Sequence, residues 1–397
     1  MVGFSPKMSG PAITTIKDVR ERLIGYRFEY VARQSGISRE RLRAIEEENV
    51  PPTVFEAESL AKLYGLDSER LVEEPVRIEH GDSIRTLALM DEFQDLDDTI
   101  RFRIVAAANA ARDLVALRRI ETGKELRVNI LRLSQSRDDW PAHRQGAEHA
   151  SELREKLKLK SGPIASMRDL IAHKFPDITL LYANLTPRGP AGITFADKIR
   201  GTVIVLNLQG KNENPCVRRF SLAHELYHVL YDWNRREPLA CISGYLNEQG
   251  LDRERRANAF ATRFLCPPSK LKSLQKRRVP FEDISELYDY GIHYAALRLY
   301  LRNEASVDLP AQPPSYMVSI GTEPKWADAE EPKEISGFPI DEVPPERRTF
   351  IASTAAKLYS AGQISRTKFA EFLGLTPVAD IERVLDFFAL DPPPEEE

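Results

Sequence analysis

Two histidines four residues apart carry the clearest chemical signal in the sequence. They belong to the run His-Glu-Leu-Tyr-His at residues 224–228. On a helix, residues four apart lie on the same face, so the imidazoles of His224 and His228 can bind one zinc ion. Glu225 then lies within reach of water at the metal and can act as a general base. The alternative is a helix that carries two ordinary surface histidines. A buried helical face is predicted from Phe220, Leu222, Ala223, Leu226, Val229 and Leu230.

A catalytic zinc ion needs a third protein ligand and an open coordination position. The acidic candidates downstream are Glu248, Asp252 and Glu254. Residues 254–261 predict an amphipathic helix that carries Glu254 on its apolar face, where a carboxylate needs a partner such as a metal ion. Glu254 is therefore the predicted third ligand, with Asn258 as a hydrogen-bonding neighbour. The alternative is a solvated glutamate in the first turn of that helix.

The overall composition limits the classes of protein to which the chain can belong. Its 397 residues are enough for two or three globular domains, and a net charge of −4 predicts that any DNA contact comes from a local basic surface. No apolar run is long enough to span a bilayer, and the N-terminus lacks an apolar secretory segment. Three scattered cysteines do not make a disulfide framework. We therefore predict a cytoplasmic protein without a membrane partner.

A second signal lies near the N-terminus. Residues 27–38 resemble the first half of an Xre-type helix-turn-helix, with Gly36 at the turn, and residues 39–46 follow as the recognition helix. The side chains predicted to contact duplex DNA are Arg39, Arg41 and Arg43. The acidic run at residues 46–48 favours the alternative, a solvated helix in a protein-binding bundle, because it would repel phosphates.

Periodicity predicts an α+β fold that is mainly helical, with strands at residues 178–183, 192–195 and 202–207. Five segments are predicted: a helix-turn-helix bundle (14–75), a helical connecting region (85–160), a domain with the histidine pair and a small sheet (161–303), a proline-rich linker (304–346) and a C-terminal helical module (347–390).

The motifs around the histidine pair resemble the ImmA/IrrE family of metallopeptidases. The resemblance rests on Arg-Phe-Ser-Leu-Ala-His-Glu-Leu-Tyr-His at residues 219–228 and on the Glu-x-x-Ala-x-x-Phe-Ala pattern at residues 254–261. It implies that residues 161–303 form a zincin-like metallopeptidase domain. It also implies that His224, His228 and Glu254 are zinc ligands and that Glu225 is the general base. Two residues differ from the family pattern. Tyr227 stands where glycine is common and predicts a narrower approach to the metal, and His293 stands where serine is usual.

The resemblance also implies a function. It points to a zinc-dependent endopeptidase that cleaves a partner protein, a helix-turn-helix transcriptional repressor, in a phage, stress or toxin–antitoxin circuit. The competing interpretation is a DNA-binding regulator or antitoxin whose peptidase-like domain senses a partner without proteolysis. The intact set of histidines and glutamates favours the enzyme, because a binding module has no need of Glu225.

Overall fold

A computed structural model describes most of the chain in two compact units, Met1–Asn109 and Ala110–Glu397. The described residues are 13–73, 75–76, 82–124, 139–244, 251–269, 271, 285–313, 323–332, 337–348, 350–375 and 381–390. The candidate ligand Glu248 lies outside them. The fold is mainly helical with one small sheet, as predicted. None of the helices in these ranges is both long and apolar enough to cross a membrane.

The first unit is built from short helices. They are α1 (Ile16–Asp18, continued by a π-helical turn at Val19–Ile24), α2 (Phe28–Ser35), α3 (Arg39–Glu47), α4 (Val54–Tyr64), α5 (Ser68–Leu71), α6 (Ser83–Ala88), α7 (Asp91–Gln94) and the first part of α8 (Asp98–Thr122). Gly36 takes a φ of +71° between α2 and α3, and the Ser38 hydroxyl accepts the Arg41 backbone N–H at 3.2 Å to cap α3. The predicted turn at Gly36 is thus present.

The second unit contains the remaining helices and the sheet. The helices are α9 (Ala142–Lys156), α10 (Met167–Lys174), α11 (Pro215–Tyr227, continued by a π-helical turn at His228–Asp232), α12 (Asp252–Leu265), α13 (Ser285–Tyr288), α14 (Tyr294–Ala305), α15 (Pro324–Glu330), α16 (Phe350–Ser360), α17 (Arg366–Leu373) and α18 (Glu382–Phe387). Short 3₁₀ turns lie at Gly210–Glu213 and Pro345–Arg347. The predicted domain limits within the two units stay predictions.

The sheet has four strands in the order β1-β3-β2-β4. They are β1 (Ile178–Ala183), β2 (Gly192–Asp197), β3 (Gly201–Asn207) and β4 (Leu239–Ser243). β1 runs parallel to β3, whereas β2 is antiparallel to both β3 and β4. Every residue of β1, β2 and β3 is buried. Three of the four strands occur where the sequence predicted them, and β4 is an addition.

Helix α11 begins at a well-defined cap. The Asn214 side chain accepts the Cys216 backbone N–H at 2.9 Å, and Pro215 occupies the first helical position, where its missing N–H costs nothing. Helix α12 packs against α11 with an apolar face that includes Ala257 and Phe260, both fully buried. The sequence predicted this inward face, and it brings the first turn of α12 close to the last turn of α11.

Part of the predicted proline-rich linker is packed within the second unit. Trp326 in α15 lies over the Arg219 guanidinium, which is 4.1 Å from the ring centroid. Glu330 is fully buried, and its Oε1 accepts the Arg219 Nη1–H at 2.6 Å and the Met167 N–H at 2.8 Å. The buried Arg219 guanidinium is thus paired with a buried carboxylate, so residues 323–332 form part of the structure that holds α11.

Candidate metal centre

Three chemically active side chains lie in the last turns of α11. His224 is 4% exposed, and Glu225 and His228 are fully buried. The four-residue spacing brings the two imidazoles together, with 3.1 Å between their Nε2 atoms. The predicted convergence of the histidine pair is therefore present, although neither ring lies on an open surface.

Glu254 approaches the pair from the first turn of α12. Its Oε2 lies 3.1 Å from His224 Nε2, and its Oε1 lies 3.6 Å from His228 Nε2. Ligand atoms around a tetrahedral zinc ion with bonds of about 2.1 Å lie about 3.4 Å apart, so the three separations match that size. Within the described ranges, these residues form a cluster able to hold a metal ion.

The outer nitrogens of both imidazoles are held by hydrogen bonds. His228 Nδ1 lies 2.7 Å from Asp232 Oδ2, and His224 Nδ1 lies 3.0 Å from Asn258 Oδ1. Both oxygens are acceptors, so in the neutral form of each ring Nδ1 donates and Nε2 presents a lone pair. Two lone pairs and a carboxylate then converge on one point, an arrangement that suits a metal cation.

The electrostatics keep Glu254 ionised. Burial raises its pKa, but when the two imidazoles are protonated the hydrogen bond from His224 and the charges of His224 and His228 outweigh burial and lower that pKa to about 2. Burial likewise lowers the pKa of His228, yet the bond to Asp232 and the negative charges of Asp232, Glu254 and Glu225 together outweigh burial and raise this pKa above its usual value. The cluster therefore offers a carboxylate to a metal throughout the neutral range.

The family comparison covers this part of the chain. Residues 176–300 match the family model described as the IrrE N-terminal-like domain, Peptidase_M78. The segment is thus similar to an IrrE N-terminal-like domain. It includes the sheet, the histidine pair and Glu254, and it confirms the resemblance that the motifs predicted. No curated protein and no solved structure gives a significant match to the chain.

Glu225 faces a cleft of the IrrE-like domain beside the histidine pair. The cavity has a volume of about 280 Å³, and its walls include Lys211, Phe220, His224, Glu225, Ser243 and His293. One carboxylate oxygen of Glu225, Oε2, accepts the Thr194 hydroxyl at 2.7 Å. The other, Oε1, has no hydrogen-bond partner in the described part of the chain. A carboxylate with one oxygen that accepts no hydrogen bond from the described residues therefore lies next to the predicted zinc site.

His293 also lines the cleft, although the spacing of the sequence motifs did not predict it as a site residue. Its Nδ1 accepts the Ala296 N–H at 3.4 Å at the start of α14, so the proton of a neutral ring lies on Nε2. Burial, with a smaller contribution from the Lys211 charge, lowers its pKa to about 4. His293 therefore supplies a neutral N–H donor to the cleft. Only its place in the family motif hinted at such a role.

Tyr227 does not narrow the approach to the metal, contrary to the expectation from sequence. Its ring is 1% exposed and stacks on Tyr231 with centroids 4.9 Å apart. Its hydroxyl lies 3.2 Å from His149 Nδ1, on the side of α11 that faces the core. Tyr227 packs there against His149, Tyr231 and Phe260, so it forms part of the core of the IrrE-like domain and is not among the residues that line the cleft.

Replacing Asp232 by alanine should weaken zinc binding by about 10- to 100-fold, because His228 loses the acceptor that fixes its tautomer and orientation. Zinc affinity is measured by competition with a chromogenic chelator. Asp252→Ala is the matched control, since this carboxylate is 70% exposed on α12. Equal affinities in the two variants would show that Asp232 does not support the metal site.

Proposed function

We propose that the chain is a zinc-dependent endopeptidase. The observation that carries the proposal is the convergence of His224, His228 and Glu254 beside a cleft that also holds Glu225. A peptidase needs a metal position, a general base and an accessible cavity, and these four residues with the cleft provide all three. The match to a peptidase family supports the same conclusion.

Zinc is the metal that we propose for the site. Two imidazole nitrogens and one carboxylate oxygen form a ligand set used by catalytic zinc, with a fourth position left for water or substrate. Harder cations such as magnesium or calcium prefer oxygen ligands alone. The separations of 3.1 to 3.6 Å between the donor atoms also suit a small tetrahedral ion.

The protein groups have distinct roles in the proposed reaction. Zinc, when bound, polarises the scissile carbonyl and lowers the pKa of water. Glu225 Oε1 accepts the proton of the attacking water, and the resulting carboxylic acid passes it to the leaving amine. Asp232 and Asn258 keep the imidazoles in the tautomer that binds metal. His293 donates its Nε2–H to a carbonyl oxygen of the peptide in the cleft.

The substrate that we propose is a helix-turn-helix transcriptional repressor in a phage, stress or toxin–antitoxin circuit, which places the reaction in the cytoplasm. Support comes from the family resemblance and from the α2–turn–α3 arrangement on the same chain. The test is to incubate the zinc-loaded protein with candidate repressors, with and without a chelator, and to identify fragments by mass spectrometry. Specific fragments that disappear with the chelator support the proposal. Intact repressors under both conditions contradict this choice of substrate.

A second candidate function, DNA binding, is favoured by the charges on α3. Arg39 and Arg43 are exposed, and Glu46 is turned inward, where its Oε1 accepts the Arg20 Nε–H at 2.7 Å. That pairing removes one of the acidic groups expected to repel phosphates. Arg41 differs, because it donates two bonds of 2.8 Å to the Glu56 carboxylate and, with burial opposing, lowers the pKa of Glu56 to about 2.

We expect Arg39→Ala and Arg43→Ala each to reduce the salt dependence of duplex binding. Each lost phosphate contact should lower the slope of log K against log salt by about 0.9. Binding of the full-length protein to a fluorescent duplex is measured over a range of salt concentrations, with Lys62→Ala on α4 as the control for a lost positive charge. If the wild-type protein binds no duplex at low salt, α3 is not a DNA-binding helix.

A further inference from the structure

We infer that Thr194 on β2 is a positioning residue that fixes the carboxylate of Glu225 for proton transfer. The inference rests on the proposed peptidase function and adds a residue that neither the metal site nor the family motifs include. A side-chain hydrogen bond joins β2 to α11 at this point. Thr194 is the one residue of β2 with a side-chain hydroxyl, and that hydroxyl binds Glu225.

The position of Thr194 is fixed by backbone pairing with strands on both sides. It is fully buried in the second strand of the sheet, where its backbone pairs with Ile204 on β3 and with Cys241 on β4. A residue held by ladders on both sides cannot shift along or across the sheet without breaking them. The hydroxyl is therefore delivered to Glu225 from a rigid element, which is the property required of a group that orients a catalytic side chain.

The hydroxyl holds one particular oxygen of Glu225. Thr194 Oγ1 lies 2.7 Å from Glu225 Oε2 and 3.4 Å from the Glu225 backbone oxygen, so its single proton goes to the carboxylate. The same geometry leaves Oε1 without a donor in the described ranges, although Glu225 is fully buried. An unpaired buried carboxylate oxygen is costly, and it indicates a partner that arrives in the cleft with a proton.

Gly192 supports the same arrangement from two residues away on the same face of β2. A Cβ atom at this position would lie 2.7 Å from Glu225 Oε1 and 2.8 Å from Glu225 Cγ. Any side chain there would push the carboxylate out of its present position. β2 thus leaves room for Glu225 at Gly192 and binds its carboxylate at Thr194, and both contacts favour one rotamer in which Oε1 has no donor from the described residues.

A purely structural role is the alternative for Thr194, and the two roles differ in a measurable way. If the hydroxyl only stabilises the buried carboxylate, its loss lowers the melting temperature without changing how Glu225 accepts a proton. If the hydroxyl positions Glu225, its loss weakens the binding of a ligand that gives a proton to this carboxylate when it binds. Acetohydroxamic acid is such a ligand, because it loses a proton when it binds a divalent metal.

The experiment measures acetohydroxamic acid binding to the full-length protein loaded with Co²⁺, read from the visible absorption of the metal. The variants are Thr194→Val, which removes the hydroxyl and keeps the shape, Thr194→Ser, which keeps the hydroxyl, and Glu225→Gln as the benchmark. We expect about 10-fold weaker binding for Thr194→Val, a change within about 2-fold for Thr194→Ser, and unchanged metal content in both. Thr194→Ala serves as a second hydroxyl-free variant if valine impairs folding.

The possible results distinguish the positioning role of Thr194 from the proposed peptidase function. Weak binding in the hydroxyl-free variants with recovery in Thr194→Ser supports the positioning role. Wild-type affinity in Thr194→Val or Thr194→Ala, or loss of affinity in Thr194→Ser, overturns the role and leaves the peptidase proposal standing. A wild-type protein that takes up Co²⁺ but gives the same affinity as Glu225→Gln overturns both, because Glu225 would then have no influence at the metal.

Discussion

Replacing Glu225 by glutamine should abolish peptide cleavage and leave the metal in place. The amide keeps the size of the side chain and can still bond to Thr194, which now donates to an amide oxygen 2.7 Å away in place of a carboxylate oxygen. It cannot accept a proton from water, so we expect the cleavage rate to fall by about 10²- to 10⁴-fold. The measurement pairs fragment formation with the zinc content of the purified variant.

Glu155→Gln, an exposed substitution on α9, is the matched control and should behave as the wild type. A wild-type rate in Glu225→Gln would remove this residue from the mechanism. Loss of zinc from the variant would instead place Glu225 among the ligands, in disagreement with the position of its carboxylate against β2.

Replacing His224 or His228 by alanine should remove the zinc ion itself. Each substitution leaves two ligand atoms where three converged, and the other imidazole remains beside the Glu254 carboxylate without the cation that both require. We expect zinc content to fall from one ion per chain to near zero after dialysis, and cleavage to fall with it. Inductively coupled plasma mass spectrometry measures the metal.

His173→Ala is the control for losing a histidine, because this side chain is exposed on α10. It should retain a full complement of zinc. Full zinc retention in His224→Ala or His228→Ala would show that the metal, if bound, lies elsewhere in the chain.

The sequence predicted those features that depend on local periodicity. The spacing of His224 and His228 fixes their side of a helix whatever surrounds it, and both rings converge as expected. Glu254 was found because a carboxylate on an otherwise apolar helix face needs a partner, and that face packs against α11. The three predicted strands are apolar runs, and all of them form the sheet.

Features that depend on tertiary contacts were not predicted. Asp232 is an exception, because it lies four residues after His228 and this local spacing could have indicated the contact. Thr194 is an ordinary strand residue until the sheet packs against Glu225. Likewise, Trp326 and Glu330 lie in a segment whose prolines and acids are typical of linkers, and they are buried because Arg219 on a distant helix requires their contacts.

Surface roles were also hard to assign from residue type alone. Arg39, Arg41 and Arg43 look equivalent in the sequence, yet Arg41 is committed to Glu56 and to the Pro51 carbonyl, and the other two are exposed. The difference arises because Arg41 faces the capping box of α4, where Glu56 also binds the Thr53 N–H. DNA contact by these residues stays a prediction.

The claim on which everything else depends is that one metal ion lies between His224, His228 and Glu254. Crystals grown with zinc and measured just above and just below the zinc absorption edge test it most directly. We predict a single strong anomalous peak about 2.0 to 2.2 Å from the Nε2 atoms of both histidines and from a carboxylate oxygen of Glu254. A peak at another site, or no peak between these three side chains, would contradict the account.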